Sequence, residues 1–486
     1  MKMIDLEPKL VWGIFDEITK VPRPSKKEGK IREYLLQFAE KHNLEAKADK
    51  IGNVIIYKPA TPGFENAPVT ILQGHMDMVC EKELSSKHDF ENDPIETVVD
   101  GDWVRTKGTT LGADNGIGVA TSLAALVDDS LQHGPLRAIF TVDEETGLTG
   151  AMNMDPSFML GARYLLNLDS EDMGEITLGC AGGIETTAVF DYTEVTPDKG
   201  YFFIKVYIRD LIGGHSGCDI EKGRACATKI VARFLYNLDK VTDIAIAEIG
   251  GGTLRNAIAR NAEVTVGVPM ADKEKVVVVL NELQADLDFE YKDLEHIHLT
   301  WESVDTPDVV MDARTTYGMI RAIYAAPHGV QSMSRELEGL VESSTNLAYI
   351  RQNKAEKTVT VATSQRCASP SRKHMISDQI VAVFEMAGAN TTVQGAYPGW
   401  IPNPNSQLVK TSVDAYRELF HEEPKITATH GGLECGYFTL TNPGIDMVSF
   451  GPTIVCAHST SEALQISTVG PCYDHLALIL KKISQE

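Results

Sequence analysis

The 486-residue sequence lacks several features that would decide its class at once. No apolar run approaches the roughly 20 residues that a membrane-spanning helix needs. The N-terminal stretch MKMIDLEPKLVWGIFDEITK has the pattern of an amphipathic helix and lacks the unbroken apolar core of a signal peptide. The phosphate-binding pattern G-x-x-x-x-G-K-[ST] is also absent. These absences argue against a membrane protein, a secreted precursor and a P-loop enzyme.

Positive charge and paired cysteines are scarce as well. Acidic residues outnumber basic ones, 68 to 45, which gives a formal net charge of −23. Such a surface repels phosphate backbones and anionic lipid, so we expect neither nucleic acid nor a membrane as a partner. The eight cysteines form no C-x-x-C pair and lie in apolar surroundings, as reduced and buried thiols do. We therefore predict a cytoplasmic protein.

The length and the order of elements predict an α/β protein with two domains, because a chain of this size exceeds one ordinary core. In the first part, continuous apolar strands such as VTILQG (69–74) alternate with helices, which predicts a mostly parallel sheet flanked by helices. Later strands alternate apolar and polar residues, and a β-α-β-β-α order occurs twice, with IHLTWESV (297–304) opening the second copy. We predict one domain from residues 1–186 and 391–486 and an inserted, internally duplicated α+β domain at 187–390.

Acidic residues and histidines follow several of the predicted apolar strands. In an open α/β sheet, ligands collect beyond the carboxyl ends of the strands, so side chains at those positions are expected to converge. The candidates are His75 and Asp77 in GHMDMV, Asp114 in LGADNG, Glu144 and Glu145 in TVDEETG, Asp169 in LNLDSE and His458 in CAHST. Each one alone also fits a structural role, such as a solvated pair of glutamates or a hydrogen-bonded histidine. Only their joint recurrence favours a site.

The chemistry of these side chains favours a pair of divalent metal ions. Imidazole and carboxylate groups are ligands for Zn²⁺, Mn²⁺ or Co²⁺. Gathered acids repel one another unless cations neutralise them, and two ions roughly 3.5–4 Å apart that share a water also generate a hydroxide nucleophile. A base is still needed to accept the proton of that water. Adjacent Glu144 and Glu145 cannot easily point the same way, which suits one ligand and one base, and Asp77 can fix the ring of His75.

GHMDMV, LGADNG, TVDEETG, LNLDSE and the C-terminal AHS resemble, in order and spacing, the motifs of the M20 metallopeptidases, and in particular those of the Xaa-His dipeptidase branch. The resemblance covers essentially the whole chain. It implies a cytosolic enzyme with a di-metal aminopeptidase-like catalytic domain and an inserted lid domain. It also implies hydrolysis of the peptide bond in unblocked dipeptides, of the Xaa-His type and broader. The implied cofactors are two divalent metal ions, Zn²⁺ in the first place, with Co²⁺ and Mn²⁺ as alternatives.

The same resemblance implies a role for each candidate at the strand ends. The metal ligands would be His75 and Asp169 for one ion and Glu145 and His458 for the other, bridged by Asp114. Glu144 would be the general base, and Asp77 would orient the ring of His75. The peptide bond between Asp114 and Asn115 would be cis.

Four further motifs resemble the family's substrate-binding segments. His215 in IGGHSGCDI would reach the substrate carbonyl from the lid, Asn256 in GGGTLRNAIA would lie near the substrate, and Arg366 in VATSQRCASPSRK would anchor its terminal carboxylate. In HGGLECG, Gly432 would offer backbone groups and Glu434 would hold a free amino terminus. The plainer alternatives are that His215 is solvated in a glycine-rich turn and that Arg366 is a surface arginine.

Two other functions stay open from the sequence. A related amidohydrolase would act on N-acylated amino acids or tripeptides, and activity on N-blocked substrates would favour it. A metal-stabilised binding protein is a non-enzymatic alternative, although it would have no need of Glu144. The expected partner is a small peptide. A monomer and a homodimer remain alternatives, so His215 would serve either its own chain or a second copy.

Overall fold

The computed structural model describes residues 2–486, which divide into two compact units. Unit 1 comprises the described residues through Cys180 together with Trp400–Ala428 and Leu433–Glu486. Unit 2 comprises Ala181–Gly399 and Thr429–Gly432. The catalytic and lid roles that the sequence predicts for residues 1–186 with 391–486 and for 187–390 stay predictions for these units.

Unit 1 is built from a large sheet, a small sheet and the helices around them. Its strands are β1 (Glu45–Ala48), β2 (Val54–Lys58), β3 (Thr70–His75), β4 (Thr97–Asp100), β5 (Trp103–Thr106), β6 (Leu136–Thr141), β7 (Tyr164–Asn167), β8 (Glu175–Cys180), β22 (Lys425–Thr429, whose last residue is counted with unit 2), β23 (Asp446–Ser449), β24 (Ile454–Val455) and β25 (Ala463–Gln465). Its helices are α1 (Lys9–Ile18), α2 (Gly29–Lys41), α3 (Ala113–Val127), α4 (Thr149–Met152), α9 (Gln407–Phe420), α10 (Cys435–Thr441) and α11 (Ile466–Ser484).

The large sheet is parallel at its centre and antiparallel towards its edges. Within residues 2–486 it has eight strands, in the order β1-β2-β6-β3-β7-β23-β8-β22. The pairs β6–β3, β3–β7 and β7–β23 are parallel, whereas β1–β2, β2–β6 and β23–β8 are antiparallel. The predicted α/β class is confirmed, and the sheet is more mixed than expected. Every residue of β3 is buried, as expected for a central strand, and α3 packs against it.

Unit 2 is an antiparallel sheet with helices packed on one face. Its strands are β9 (Gly182–Asp191), β10 (Glu194–Val195), β11 (Tyr201–Ile208), β12 (Gly214–His215), β13 (Ala245–Gly251), β14 (Ala257–Ile258), β15 (Ala262–Pro269), β16 (Leu299–Val304), β17 (Val310–Met311), β18 (Gly329–Met333), β19 (Val341–Asn353), β20 (Thr358–Cys367) and β21 (Asn390–Tyr397). Its helices are α5 (Ala227–Asp239), α6 (Lys273–Glu290), α7 (Ala313–Ala325) and α8 (Pro370–Met386). Alternate strand residues such as Ile204, Val206 and Ile208 share one buried core with Phe234 and Phe384 of the helices.

The strand order of unit 2 has an internal symmetry. Its main sheet runs β16-β11-β15-β13-β19-β20-β9-β21. The first four strands join α5 and α6 as a β-α-β-β-α-β motif, and the last four join α7 and α8 as the same motif with the same strand order. The motifs meet where β13 pairs with β19. The duplication is thus present, but the prediction that residues 297–304 open the second copy is wrong. Strand β16 pairs with β11 and closes the first motif, and β9 opens the second.

The helices and the cysteines of the described residues concern membrane crossing and disulfide bonding. No helix in residues 2–486 combines the length and apolar character that crossing a membrane requires. All eight cysteines are unpaired, and five of them are buried: Cys180, Cys226, Cys367, Cys435 and Cys472.

A buried histidine makes the stability of unit 1 depend on pH. His475 of α11 is 2% exposed, its Nε2 lies 2.8 Å from the carbonyl oxygen of Ser412, and its ring packs against Tyr416 and Phe450. Burial lowers its pKa to about 4, and the Ser412 carbonyl only partly opposes this. Because the folded pKa lies below the unfolded value of about 6.5, stability is lost as pH falls from about 6.5 towards 4.

We expect wild type to lose about 2 kcal/mol more stability between pH 7 and pH 5 than His475→Gln, whose amide can still donate to Ser412. Urea unfolding at the two pH values measures this. An equal loss in both proteins would contradict the assignment.

Candidate metal centre

The parallel centre of the large sheet brings the predicted residues of unit 1 to one edge. His75 is the last residue of β3, Glu144 and Glu145 follow β6, and Asp169 follows β7. His458 comes after β23, in left-handed backbone with φ of 62°. Because parallel strands end at the same edge of a sheet, the segments after β3, β6 and β7 meet there. The loop of His458, which follows β24, joins them at Glu145.

Asp114 joins this edge from the start of α3. The residue before the helix, Gly112, has φ of 69°, and Asp114 itself departs from helical backbone. The peptide bond between Asp114 and Asn115 is cis, as the sequence resemblance implies. The side chain of Asn115 donates to the carbonyl of Leu168 at 2.6 Å, which ties this turn to the segment that carries Asp169.

The two carboxylate oxygens of Asp114 face two different groups of side chains. Its Oδ1 lies 3.0 Å from His75 Nε2, which is also 3.4 Å from Asp169 Oδ1. Its Oδ2 lies 2.9 Å from His458 Nε2, which is also 2.9 Å from Glu145 Oε2. The arrangement therefore has the form of two neighbouring sites that share one carboxylate.

The imidazoles and carboxylates shift one another's pKa values. Burial lowers the pKa of His75, but the carboxylates around it, Asp169 first, outweigh burial and hold the pKa well above its ordinary value. Hydrogen bonds to Asp114 and Glu145 raise the pKa of His458 to about 11. Burial raises the pKa of Asp169 to about 6. Because bound metal ions replace protons on such ligands, this pattern indicates a site that favours added positive charge.

Unpartnered atoms and donor chemistry indicate that metal ions fit here. Within residues 2–486, Glu145 Oε1 is buried without a hydrogen-bond partner, and Asp169 Oδ1 has none beyond its 3.4 Å contact with His75 Nε2, which is rare for such atoms. One ligand atom each from His75, Asp114 and Asp169 lie within 4.8 Å of one another, and so do atoms from Asp114, Glu145 and His458. Imidazole nitrogen and carboxylate oxygen are ordinary ligands of divalent transition ions. The residues can hold metal ions at both groups.

Asp77 lies directly behind His75. Its Oδ1 is 3.3 Å from His75 Nδ1, and it is completely buried. The same carboxylate accepts from the hydroxyl of Ser25 at 2.7 Å and from the backbone N–H groups of Glu144 and Glu145 at 3.1 and 3.3 Å. Asp77 thus links the ring of His75 to the turn that carries both glutamates.

Glu144 and Glu434 are two further carboxyl groups at this edge. Burial raises the pKa of Glu144 well above its ordinary value, and the charges of Asp169, Glu434 and Glu145 add to this while His75 opposes it. Glu434 is 1% exposed, and its Oε2 accepts from Gln73 Nε2 at 2.6 Å and from Thr141 Oγ1 at 2.7 Å. Burial raises its pKa to about 7. The predicted contact of Glu434 with a substrate amine stays a prediction; here its carboxylate is engaged by the two strands beneath the centre.

The other predicted substrate residues belong to unit 2, where His215 ends β12 and Asn256 lies in the turn just before the neighbouring strand β14. His215 in β12 pairs with Ala257 in β14, and the Ser216 N–H donates to the Asn256 carbonyl at 2.7 Å. His215 Nδ1 accepts from the Gly217 N–H at 3.2 Å, so the proton of the neutral ring is on Nε2. Burial lowers the pKa of His215, and the charge of Arg366 adds to this.

Arg366 and Gly432 lie beside the segment that carries His215, linked to it through Ser216 and Tyr397. Arg366 is 7% exposed, with Nη1 at 3.0 Å from the hydroxyl of Tyr397 and Nε at 3.4 Å from that of Ser216. A Cβ on Gly432 would lie 2.9 Å from the ring of Tyr397, so a larger residue at this position would displace that ring. Unit 2 therefore brings His215, Asn256, Arg366 and Gly432 together.

Two buried charged residues that the sequence did not single out also reach the metal-centre loops. Glu462 lies four residues after His458, and Arg23 lies in the stretch VPRPS, which carries no recognisable signal. Unit 2 holds another buried residue that the sequence did not single out, His430 in HGGLECG. Its Nε2 is 2.7 Å from the Ser344 hydroxyl, and burial, together with the charge of Arg366, lowers its pKa to about 4. Nothing in the sequence indicates that His430 lies near Arg366, because the two residues are far apart along the chain.

Comparison with known proteins relates this arrangement to one family. Residues 71–482 match the sequence pattern of Peptidase family M20/M25/M40. A cytosol non-specific dipeptidase from Escherichia coli (strain K12) is 38% identical over 484 residues, which is 99% of each chain.

Solved structures agree with the sequence comparison. The crystal structure of aminoacylhistidine dipeptidase from Vibrio alginolyticus superposes with a TM-score of 0.92 and 40% identity, covering 99% of this chain and 98% of that one. A tripeptidase from Staphylococcus aureus covers 100% of both chains with a TM-score of 0.58 and 17% identity, a likeness of fold alone.

Proposed function

Because the chain belongs to Peptidase family M20/M25/M40, we propose that it is a metallo-dipeptidase that hydrolyses the peptide bond of unblocked dipeptides with two divalent metal ions. The observation that carries the proposal is the carboxylate of Asp114, whose two oxygens face the His75 group at 3.0 Å and the His458 group at 2.9 Å. Zn²⁺ is the ion we propose, with Co²⁺ and Mn²⁺ as alternatives that accept the same ligands.

The proposed ligand set follows these two groups. His75 and Asp169 would hold one ion, Glu145 and His458 the other, and Asp114 would be shared. When bound, the ions supply Lewis-acid polarisation of a carbonyl and acidification of a water. Asp77, 3.3 Å from His75 Nδ1, would keep the ring oriented with Nε2 towards the centre.

Glu144 is the proposed proton carrier. Its raised pKa suits a group that accepts a proton from water and then gives it to the leaving amine. Its neighbour Glu145 lies 2.9 Å from His458 Nε2 and is the proposed ligand, so the adjacent glutamates divide the two tasks.

The residues of unit 2 are proposed to bind the substrate. His215 carries its proton on Nε2 and would donate to the carbonyl oxygen as negative charge develops there, in its own chain or in a second copy. Arg366, oriented by Tyr397, would bind the terminal carboxylate, with Asn256 and the backbone at Gly432 beside the peptide. Glu434 is retained as the proposed partner of the free amino terminus.

The proposed substrate class and location rest on the relatives. The Escherichia coli protein is named a cytosol non-specific dipeptidase, and the Vibrio alginolyticus protein an aminoacylhistidine dipeptidase. We accordingly propose Xaa-His and other free dipeptides as substrates and the cytoplasm as the location.

A panel assay tests the proposal. The chain is stripped with a chelator, reconstituted separately with Zn²⁺, Co²⁺ and Mn²⁺, and given free dipeptides, their N-acetylated forms and tripeptides. We expect hydrolysis of free dipeptides to fall to background without metal and to return with it. The N-acetylated forms should resist cleavage, because they have no free amine. Faster cleavage of N-acetylated substrates would favour the amidohydrolase alternative, and activity that survives metal removal would contradict the metal requirement.

A further inference from the structure

Glu462 is a buried carboxylate that binds a loop rather than a basic side chain. It is 2% exposed, and both of its oxygens accept hydrogen bonds from consecutive backbone N–H groups. The donors are Leu111 at 2.7 Å and Gly112 at 2.9 Å to Oε2, and Ala113 at 2.7 Å and Asp114 at 3.3 Å to Oε1. The last of these residues is the one whose carboxylate both groups of the metal centre share.

Arg23 binds the same loop at the carbonyl group of Gly112. Its guanidinium is buried and donates to the carbonyl oxygen of Gly112 through Nη2. Through Nη1 it donates to the carbonyl of Asp77 at 2.8 Å and lies 3.4 Å from that of Met76. Glu462 thus holds the N–H groups of the loop before Asp114, and Arg23 holds the carbonyl of Gly112 in the same loop. Arg23 also holds the segment after His75.

The loop of residues 111–114 has little freedom to move between Glu462 and Arg23. Gly112 has φ of 69°, and a Cβ there would lie 2.5 Å from Arg23 Nη2 and 2.8 Å from the sulfur of Met78. Hydrogen bonds to a charged acceptor are stronger than neutral ones, and a buried N–H that loses its acceptor is costly. Displacement of Glu462 would therefore leave four donors without their partner and release the backbone that sets the direction of Asp114.

We propose that Glu462 is a positioning residue of the metal centre: its carboxylate fixes the backbone of residues 111–114 so that the two oxygens of Asp114 stay directed at separate ions. The inference rests on the proposed function, because it assumes that metal ions bind at both groups. Glu462 itself touches neither substrate nor metal in this assignment. It also lies on the segment that carries His458, so it links that segment to Asp114.

The alternative is that Glu462 only stabilises the fold, as buried acceptors of N–H groups do elsewhere. Asp49 offers a matched control in the same unit. Its Oδ1 accepts from the N–H groups of Ile51, Gly52 and Asn53 at 3.1, 2.9 and 2.9 Å. Its Oδ2 accepts from Asn53 Nδ2 at 2.9 Å and from the Asp155 N–H at 3.1 Å. No candidate metal ligand belongs to that loop, so Asp49→Asn, which turns an amide N–H₂ towards those two donors, disturbs as many hydrogen bonds as Glu462→Gln without reaching Asp114.

The test is a Co²⁺ titration of the chelated full chain, followed by the visible absorption of the bound ion and by the number of ions per chain. Glu462→Gln keeps the size of the side chain but turns an amide N–H₂ towards two of the N–H donors. We expect it to weaken the apparent Co²⁺ affinity by about 10- to 100-fold, the usual effect of losing a group that orients ligands, and to change the absorption spectrum. Asp49→Asn should bind Co²⁺ as wild type does, although both variants unfold more easily.

The outcomes separate the two proposals. Wild type that fails to bind two ions contradicts the proposed function, and the role of Glu462 with it. Wild type that binds two, with Glu462→Gln indistinguishable from Asp49→Asn in affinity and spectrum, overturns the role of Glu462 alone. Should Glu462→Gln fail to fold, Glu462→Asp decides by the same criterion: it keeps the charge but is one methylene too short to reach all four donors, so wild-type affinity in that variant also overturns the inference.

Discussion

Replacement of Glu144 by Gln is expected to lower kcat by about 10²- to 10⁴-fold, the usual contribution of a positioned proton carrier. The amide keeps the volume and polarity of the side chain but cannot take a proton from water or deliver one to the leaving amine. The number of bound metal ions should stay at the wild-type value, because Glu145 and not Glu144 is the proposed ligand. Steady-state kinetics with a free dipeptide and elemental analysis of the same preparation measure the two quantities.

The adjacent glutamate supplies the control for this prediction. Glu145 Oε2 lies 2.9 Å from His458 Nε2, whereas Glu144 lies close to His75 and Glu145. Glu145→Gln should therefore lose metal, and Glu144→Gln should not. Near-normal kcat in Glu144→Gln would remove its role as the base, and loss of an ion in that variant would assign it to the ligands instead.

Replacement of Asp114 by Ala is expected to abolish activity and to remove both metal ions, the largest change in metal content of any single ligand. Its two oxygens face both groups, at 3.0 Å from His75 and 2.9 Å from His458. His458→Ala should remove one ion only, because His75 and Asp169 stay intact. Titration of each chelated variant with Zn²⁺, read as ions bound per chain, measures the difference.

The comparison between these variants decides whether Asp114 is shared. If Asp114→Ala and His458→Ala each lose a single ion, Asp114 belongs to one site and the bridge is wrong. If His458→Ala loses both ions, the two sites depend on each other more strongly than the two separate groups imply.

The sequence predicted the parts of this centre that depend on strand ends. His75, Glu145 and Asp169 each follow an apolar strand, and parallel strands that end at one edge bring such residues together without any knowledge of side-chain packing. Asp114 and His458 lie outside that rule. Asp114 lies at the start of α3, and His458 lies in a loop 344 residues further along the chain. Both were candidates in the sequence because each follows an apolar segment, and the family resemblance gave them their implied roles as ligands.

Residues that act through the backbone were beyond such reasoning. Glu462 accepts from N–H groups about 350 positions earlier, and main-chain donors have no residue type that a sequence could reveal. Arg23 likewise donates to carbonyl oxygens. The order of the strands in unit 2 was missed for a related reason: two strands with the same alternating pattern are interchangeable until pairing selects one of them. Strand β16 resembles the start of a motif as much as its end.

Strand β9 precedes the first motif in the chain but belongs to the second motif in the sheet, and this affects how a newly made chain folds. Residues of the first motif, from β11 to β16, are contiguous, so apart from the β13–β19 pairing its strands find their partners within one continuous stretch of chain. Strand β9 emerges before them but pairs with β20 and β21, whose paired residues lie 167 (Asp191 to Thr358) to 214 (Gly183 to Tyr397) positions later. Pairings between distant residues form slowly. Strand β9 therefore stays unpaired with β20 and β21 until the whole first motif has been synthesised. Early synthesis of this strand therefore gives it no early place in the sheet.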